Sequence, residues 1–253
     1  MPPRSYPAPM KEKSVSFHNT IGATSTGILA VSPASWIDRT AEHVYHDRMQ
    51  AVPDPDPVES LSASIAACRL CRDIARTPLP HEPRPVAVLS ATARVLIAGQ
   101  APGLRVHETG IPFNDASGNR LRDWLGVSRG QFYDPDNFAI LPMGFCFPGY
   151  DARGSDLPPR KECAPLWRRR ALDAMPQIKL VLAIGSYAQR YHLGPARALS
   201  MADTVRDWRS HMEHGVIPLP HPSWRNTGWL RRNPWFEAEL LPVLRSKVSR
   251  WIS

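Results

Sequence analysis

The sequence predicts a layered α/β domain built on a short, mostly parallel sheet. Three observations carry that reading. Short continuous apolar runs, each of strand length, recur over residues 94–98, 138–141, 179–184 and 216–219. Between them lie stretches with the 3.6-residue apolar period of helices, over 118–125, 163–175, 186–192 and 235–248, with a further helix over 59–71 ahead of the first run. Glycine follows two of the runs directly, at Gly99 and Gly185, where a buried strand gives way to a turn. Strands alternating with helices make a parallel sheet covered on its faces.

Each element has its own signature. In 59–71, Leu61, Ile65 and Leu70 fall roughly on one face. A Pro-rich loop follows through Pro85, and 94–98 then enters the core as Arg-Val-Leu-Ile-Ala. The 118–125 helix carries Leu121, Trp124 and Leu125, and the 163–175 helix is expected to turn Arg168, Arg169 and Arg170 to solvent. In a parallel sheet the ligand site lies beyond the carboxyl ends of the strands, so the loops after 98 and 219 matter most.

The rest of the chain bounds the function. Its 253 residues are 43% hydrophobic and 21% charged, enough for a core and too few charges for a disordered polyelectrolyte. With 31 Lys and Arg against 23 Asp and Glu, the net charge is +8, which favours an acidic partner such as nucleic acid. No apolar run approaches membrane-spanning length, and the first nine residues lack the apolar segment of a secretory signal. Residues 1–56 are rich in Pro, Ser and Thr and end in alternating proline over 53–57. That composition predicts a flexible extension with a stiff end and room for one short helix at 36–48, and Met49 offers a second start. Residues 57–253 then form one globular domain.

Three loop motifs follow predicted strands or open a helix. Gly99-Gln100-Ala101-Pro102-Gly103 ends the first strand, and its glycines let the backbone turn and approach a ligand. His221-Pro222-Ser223 ends the last one and offers a side-chain donor to a cleft. Gly110-Ile-Pro-Phe113-Asn114-Asp115-Ala-Ser-Gly118 opens a helix, where Asp115 or Ser117 also suits the N-cap. Four cysteines, Cys68-x2-Cys71 and Cys146-x16-Cys163, suit a [4Fe–4S] cluster, a tetrahedral zinc, or four independent reduced thiols.

In this order, the motifs resemble the uracil-DNA glycosylase superfamily from about residue 68 to 248, most of all its iron–sulfur family 4-like branch, with touches of family 5. The chain looks like a divergent member. The resemblance implies a three-layer αβα fold and a hydrolase that removes uracil or a related deaminated base flipped out of DNA. Gly99, Gln100, Ala101, Pro102 and Gly103 correspond to motif A, His221 and Ser223 to motif B, and Phe113 to the residue that stacks on the base. His221 would stabilise the departing base, with help from backbone N–H groups of the Gln100–Ala101 loop. The same resemblance favours a structural [4Fe–4S] cluster on Cys68, Cys71, Cys146 and Cys163. It also implies a wedge after motif B, for which Trp229 and Leu230, flanked by Arg231 and Arg232, are the candidates. Arg206 and Arg209 would extend the basic face. The partner would be DNA with a damaged base, met by a cytoplasmic, nucleoid-associated monomer.

Two departures stand out. Where family 1 has Asp in motif A and family 4 has Glu, this chain has Ala101 and Gln100. Asp115 is the remaining carboxylate, with His107 and Glu108 as rivals. Where family 4 reads uracil with Asn, this chain has Pro142, which leaves Asn114 or a backbone amide near Met143 as readers and predicts a broader range of bases.

Overall fold

The computed structural model describes residues 56–253 apart from Ile74 and Leu199. The expected extension, the 36–48 helix and most of the proline-rich stretch lie outside the described residues. Asp56 caps α1 (Pro57–Ala66) by accepting from the Val58 N–H at 3.0 Å, and Pro57 occupies the first helical turn, where its missing N–H costs nothing.

Four strands, β1 (Val95–Ala98), β2 (Phe138–Ile140), β3 (Leu180–Ile184) and β4 (Val216–Leu219), pair in the order β2-β1-β3-β4. All three pairings are parallel, in the registers Ile97–Ile140, Leu96–Val181 and Ala183–Pro218. Alternation along β1 fixes the layers. Val95 and Ile97 pack with Leu121, Trp124 and Leu125 of α4 (Ala116–Leu125), with Trp208 of α9 (Trp208–Glu213) and with Leu244 and Val248 of α11 (Leu241–Ser249). Leu96 points the other way, onto Leu61 and Ile65 of α1, Trp167, and Ala171 of α6 (Arg169–Asp173). Helices therefore cover both faces, as the three-layer reading requires. Among the described residues no helix is long and apolar enough to cross a membrane.

The first helix is shorter than expected. It ends at Ala66, and the chain turns before α2 (Leu70–Asp73), so that Cys68 and Cys71 face one pocket and Leu70 stays partly exposed. Arg168 is the larger correction. Arg169 and Arg170 are exposed as predicted, but Arg168 is fully buried. It ends a π-helical turn (Ala164–Arg168), and its spacing from Ala171 and Met175 places it on the buried face.

Short helices fill the connections: α3 (Leu104–Thr109), α5 (Arg129–Tyr133), α7 (Gly185–Leu193), α8 (Met201–Arg206) and α10 (Thr227–Arg232). Because β2 lies on one side of β1 and β3 on the other, the chain reverses its direction of travel across the sheet beside β1. The carboxyl ends of β1 and β3 are thus the place where an open α/β sheet forms a crevice.

Candidate functional site

A cavity of about 440 Å³ occupies that crevice. Gly99, Gln100, Ala101, Pro102 and Gly103 line it from the end of β1, and His221 and Ser223 from the end of β4. Phe113, Asp115 and Ser117 come from the loop into α4. The sheet thus brings together residues more than 120 positions apart.

Local geometry explains each placement. Gly103 takes an extended conformation as the N-cap of α3, and a methyl group there would project into open space. Neither Gly99 nor Gly103 is among the positive-φ glycines, so their value is close approach, not a left-handed turn. Among the described residues, the N–H groups of Gln100 and Ala101 meet no protein acceptor, while their neighbours' carbonyls are engaged. Phe113 is the one described non-glycine residue with positive φ, at 54°. Its carbonyl accepts from Tyr133 Oη at 3.3 Å, its ring meets Phe132 edge-on at 6.0 Å, and its tip lies 3.4 Å from where a Gly99 side chain would begin. The strained backbone aims the ring into the cavity.

Asp115 takes the capping role foreseen for it. Its Oδ1 accepts from the Gly118 N–H at 2.8 Å, capping α4, and the residue also lines the cavity. His221 is part-buried, and Asn226 Nδ2 donates to its carbonyl at 2.7 Å, bracing the loop. Burial pushes its imidazole below the ordinary histidine value; Asp115 and Asp156 oppose that shift and Arg225 adds to it. A neutral ring at pH 7 follows, offering one N–H donor.

The base-reading candidates fare differently. Asn114 does not line the cavity; its Oδ1 accepts from Arg129 Nη2 at 3.3 Å. The amides near Met143 are already used, Met143 N donating to Gly99 O and Gly144 N to Gln100 O. Pro142 lines the cavity, but its carbonyl and that of Leu141 accept from the buried Arg168. The rivals to Asp115 also lie elsewhere. Neither His107 nor Glu108 lines the cavity; His107 packs on His81 and Phe147, and Glu108 is exposed.

After motif B the exposed aromatic is Trp224, at 74%, not Trp229. Trp229 and Leu230 are half-buried against the core, Trp229 edge-on to Trp235 and Phe236. Arg231 and Arg232 are exposed at the end of α10. Arg120 braces this segment, donating to Ser223 O at 2.9 Å. Arg209 is paired with Glu239 at 2.7 Å, and Arg206 lies over Trp235.

The cavity also holds groups that sequence reading missed. Ser155 and Asp156 reach it from the loop between the second pair of cysteines, joined by Trp224, Arg225 and Asn226. Asp156 carries no motif and lies 41 positions after Asp115, so only the fold could reveal it.

A second, small apolar pocket is lined by Cys68, Cys71, Cys146 and Cys163. Trp167 Nε1 donates to Cys68 Sγ at 3.3 Å, and Phe145 N to Cys163 Sγ at 3.4 Å. Burial raises the Cys71 thiol and pushes Cys146 and Cys163 up to about 12. Among the described residues, no three His, Cys, Asp or Glu side chains are placed to hold a single metal ion. All four thiols line this one pocket.

Compared with known families, residues 86–245 match the model described as the uracil DNA glycosylase superfamily.

Proposed function

The chain belongs to the uracil DNA glycosylase superfamily, and we propose that it hydrolyses the N-glycosidic bond of uracil or a related deaminated base flipped out of DNA. One observation carries this reading: His221, Phe113 and the Gly99–Gly103 loop meet in one cavity at the carboxyl ends of the sheet. A base inside a duplex cannot reach such a cavity, so the nucleotide must leave the stack at a cost of a few kcal/mol. Phe113 then stacks on it. As the bond to the sugar breaks, its electron pair passes to the base. The neutral His221 N–H and the unengaged N–H groups of Gln100 and Ala101 are the donors for that anion. The Gln100 side chain, both donor and acceptor, takes up the base-reading work left open by Pro142. Trp224, with Arg225 against its ring at 5.3 Å, fills the gap left in the stack, with Trp229 and Leu230 as its support.

The four thiols fit a [4Fe–4S] cluster, because all four line one apolar pocket and two of them receive N–H donors of the kind that stabilise cluster sulfurs. When bound, the cluster would supply a redox-capable cross-link, holding residues 146–163 against the first two helices.

The test is a cleavage assay. Labelled single- and double-stranded oligonucleotides carrying uracil, hypoxanthine or xanthine are incubated with the protein, then treated with alkali to cut abasic sites. Product from at least one substrate is expected, and His221→Ala should lower turnover roughly 100-fold with DNA binding kept. Salt-sensitive binding without product from any of them would overturn the enzyme reading in favour of a silent DNA-binding module.

A further inference from the structure

Motif A lacks its carboxylate, and Asp115 spends one oxygen on its helix cap. The cavity nevertheless holds a second carboxylate, Asp156, at its exposed mouth. Hydrogen bonds within the loop shape the turn that presents it. Asp151 Oδ1 accepts from Arg153 N at 2.8 Å and Ser155 N at 2.9 Å, Asp151 N donates to Ser155 O at 2.8 Å, and Leu157 N donates to Gly149 O at 2.9 Å. A bridge between Tyr150 and Asp156 closes it. Such a turn fixes a side chain far better than an unbonded loop would. Among the described residues, Asp156 has neither an ion-pair partner within 4.0 Å nor a side-chain hydrogen bond, so both oxygens are free.

Position decides the role. A flipped base enters the cavity to reach Phe113, while its sugar stays tethered to the backbone at the mouth. A carboxylate at the mouth therefore faces C1′. Building on the glycosylase reading above, we infer that Asp156 is the catalytic carboxylate: it faces the developing sugar cation and takes the proton of the attacking water. In that step the water oxygen bonds to C1′, the C1′–N bond breaks, its electron pair leaves with the base, and the water proton moves to Asp156. The groups facing Asp156 are Arg225 and His221, which favour its charge, and Asp115, which opposes it. Partial loss of solvent outweighs these favourable neighbours and holds Asp156 above the ordinary aspartate value. A carboxylate that binds protons more readily than an ordinary aspartate suits the role of base.

Two measurements test this. The first needs no turnover: fluorescence anisotropy with duplexes bearing a cationic pyrrolidine abasic analogue or its neutral tetrahydrofuran counterpart. The wild-type chain should prefer the cation roughly tenfold or more, and Asp156→Asn should lose most of that preference. No preference in the wild type, or a full preference in Asp156→Asn, overturns the inference even if no cleavable substrate is found. The second is the single-turnover pH profile on whichever substrate is cleaved. Asp156→Asn should lower the rate roughly 100-fold and abolish the acid limb, with Kd unchanged and partial rescue by Asp156→Glu. Asp115→Asn should be slower yet keep the limb. An acid limb that persists without Asp156 assigns the proton transfer elsewhere. Failure of the glycosylase reading itself would show separately, as a wild-type chain without product.

Discussion

At the scale of single residues, the proposed base site rests on one strained backbone angle and one buried cation. Phe113 holds a φ of 54° because α4 begins directly beneath it: a methyl group on Gly118 would lie 1.7 Å from the Phe113 carbonyl. Gly118→Ala should displace the stacking ring and lower the single-turnover rate at least roughly tenfold, since small misplacements of a bound reactant are costly. Unchanged turnover in that variant would show that Phe113 does not set the base position. Arg168 is the buried cation, clamping the Leu141 and Pro142 carbonyls and donating to His192 Nε2. Arg168→Met orphans two buried carbonyls and the half-buried His192 Nε2, and should cost about 2–4 kcal/mol in chemical denaturation. The same contact sets a pH dependence. Burial, with Arg168 alongside, pushes His192 down to about 3 from 6.5. The unfolded chain then binds a proton that the folded chain refuses. Stability should be full above pH 6.5 and fall as pH drops toward 3, and His192→Gln should flatten that slope in denaturation curves measured across the range.

At the scale of elements, the cysteines bring four segments to one pocket: the turn after α1, α2, the stretch after β2, and the start of the π-helical turn at Ala164. If a cluster ties them together, Cys163→Ser should purify without the visible charge-transfer absorption, with less than the full iron complement, and with a lower melting temperature. A variant equally stable, from a wild type equally colourless, would leave four ordinary thiols. These elements also show what sequence can and cannot reveal. All four strands were legible because a strand buried on both faces is a continuous apolar run, and β1 is buried along its whole length. The helices α3, α5, α8, α9 and α10 were not, because five or six residues are less than two turns and too few to establish a period. Arg168 was legible in principle: its spacing from Ala171 and Met175 is helical, but a run of three arginines invites the assumption that all are solvated. The motifs after β1 and β4 line one cavity, as their positions at strand ends led one to expect. Asp156 and the exposure of Trp224 depend on how distant loops fold over that site, which local pattern does not encode.

At the scale of the molecule, the +8 charge becomes a question of where cations stand around the cavity. Arg225 borders it, while Arg231 and Arg232 stand exposed on the same segment, after Trp224. The other two arginines expected on this face are partly committed, Arg209 to Glu239 and Arg206 to Trp235 and Asn233. Phosphate neutralisation releases condensed counterions, so affinity for duplex DNA should fall linearly on logarithmic axes as salt rises. Each phosphate contact contributes about 0.9 to that slope, and the double variant Arg231→Ser, Arg232→Ser should make it shallower by roughly 1.8. Trp224→Ala should behave differently. Aromatic stacking is insensitive to salt, so its loss should weaken binding by about 1–3 kcal/mol with the slope unchanged. Anisotropy titrations at several salt concentrations separate the two effects. A slope that the arginine pair does not alter would move the DNA track to another face. A Trp224 variant that binds as tightly as wild type would return the wedge to Trp229 and Leu230, which would then have to leave the core to act.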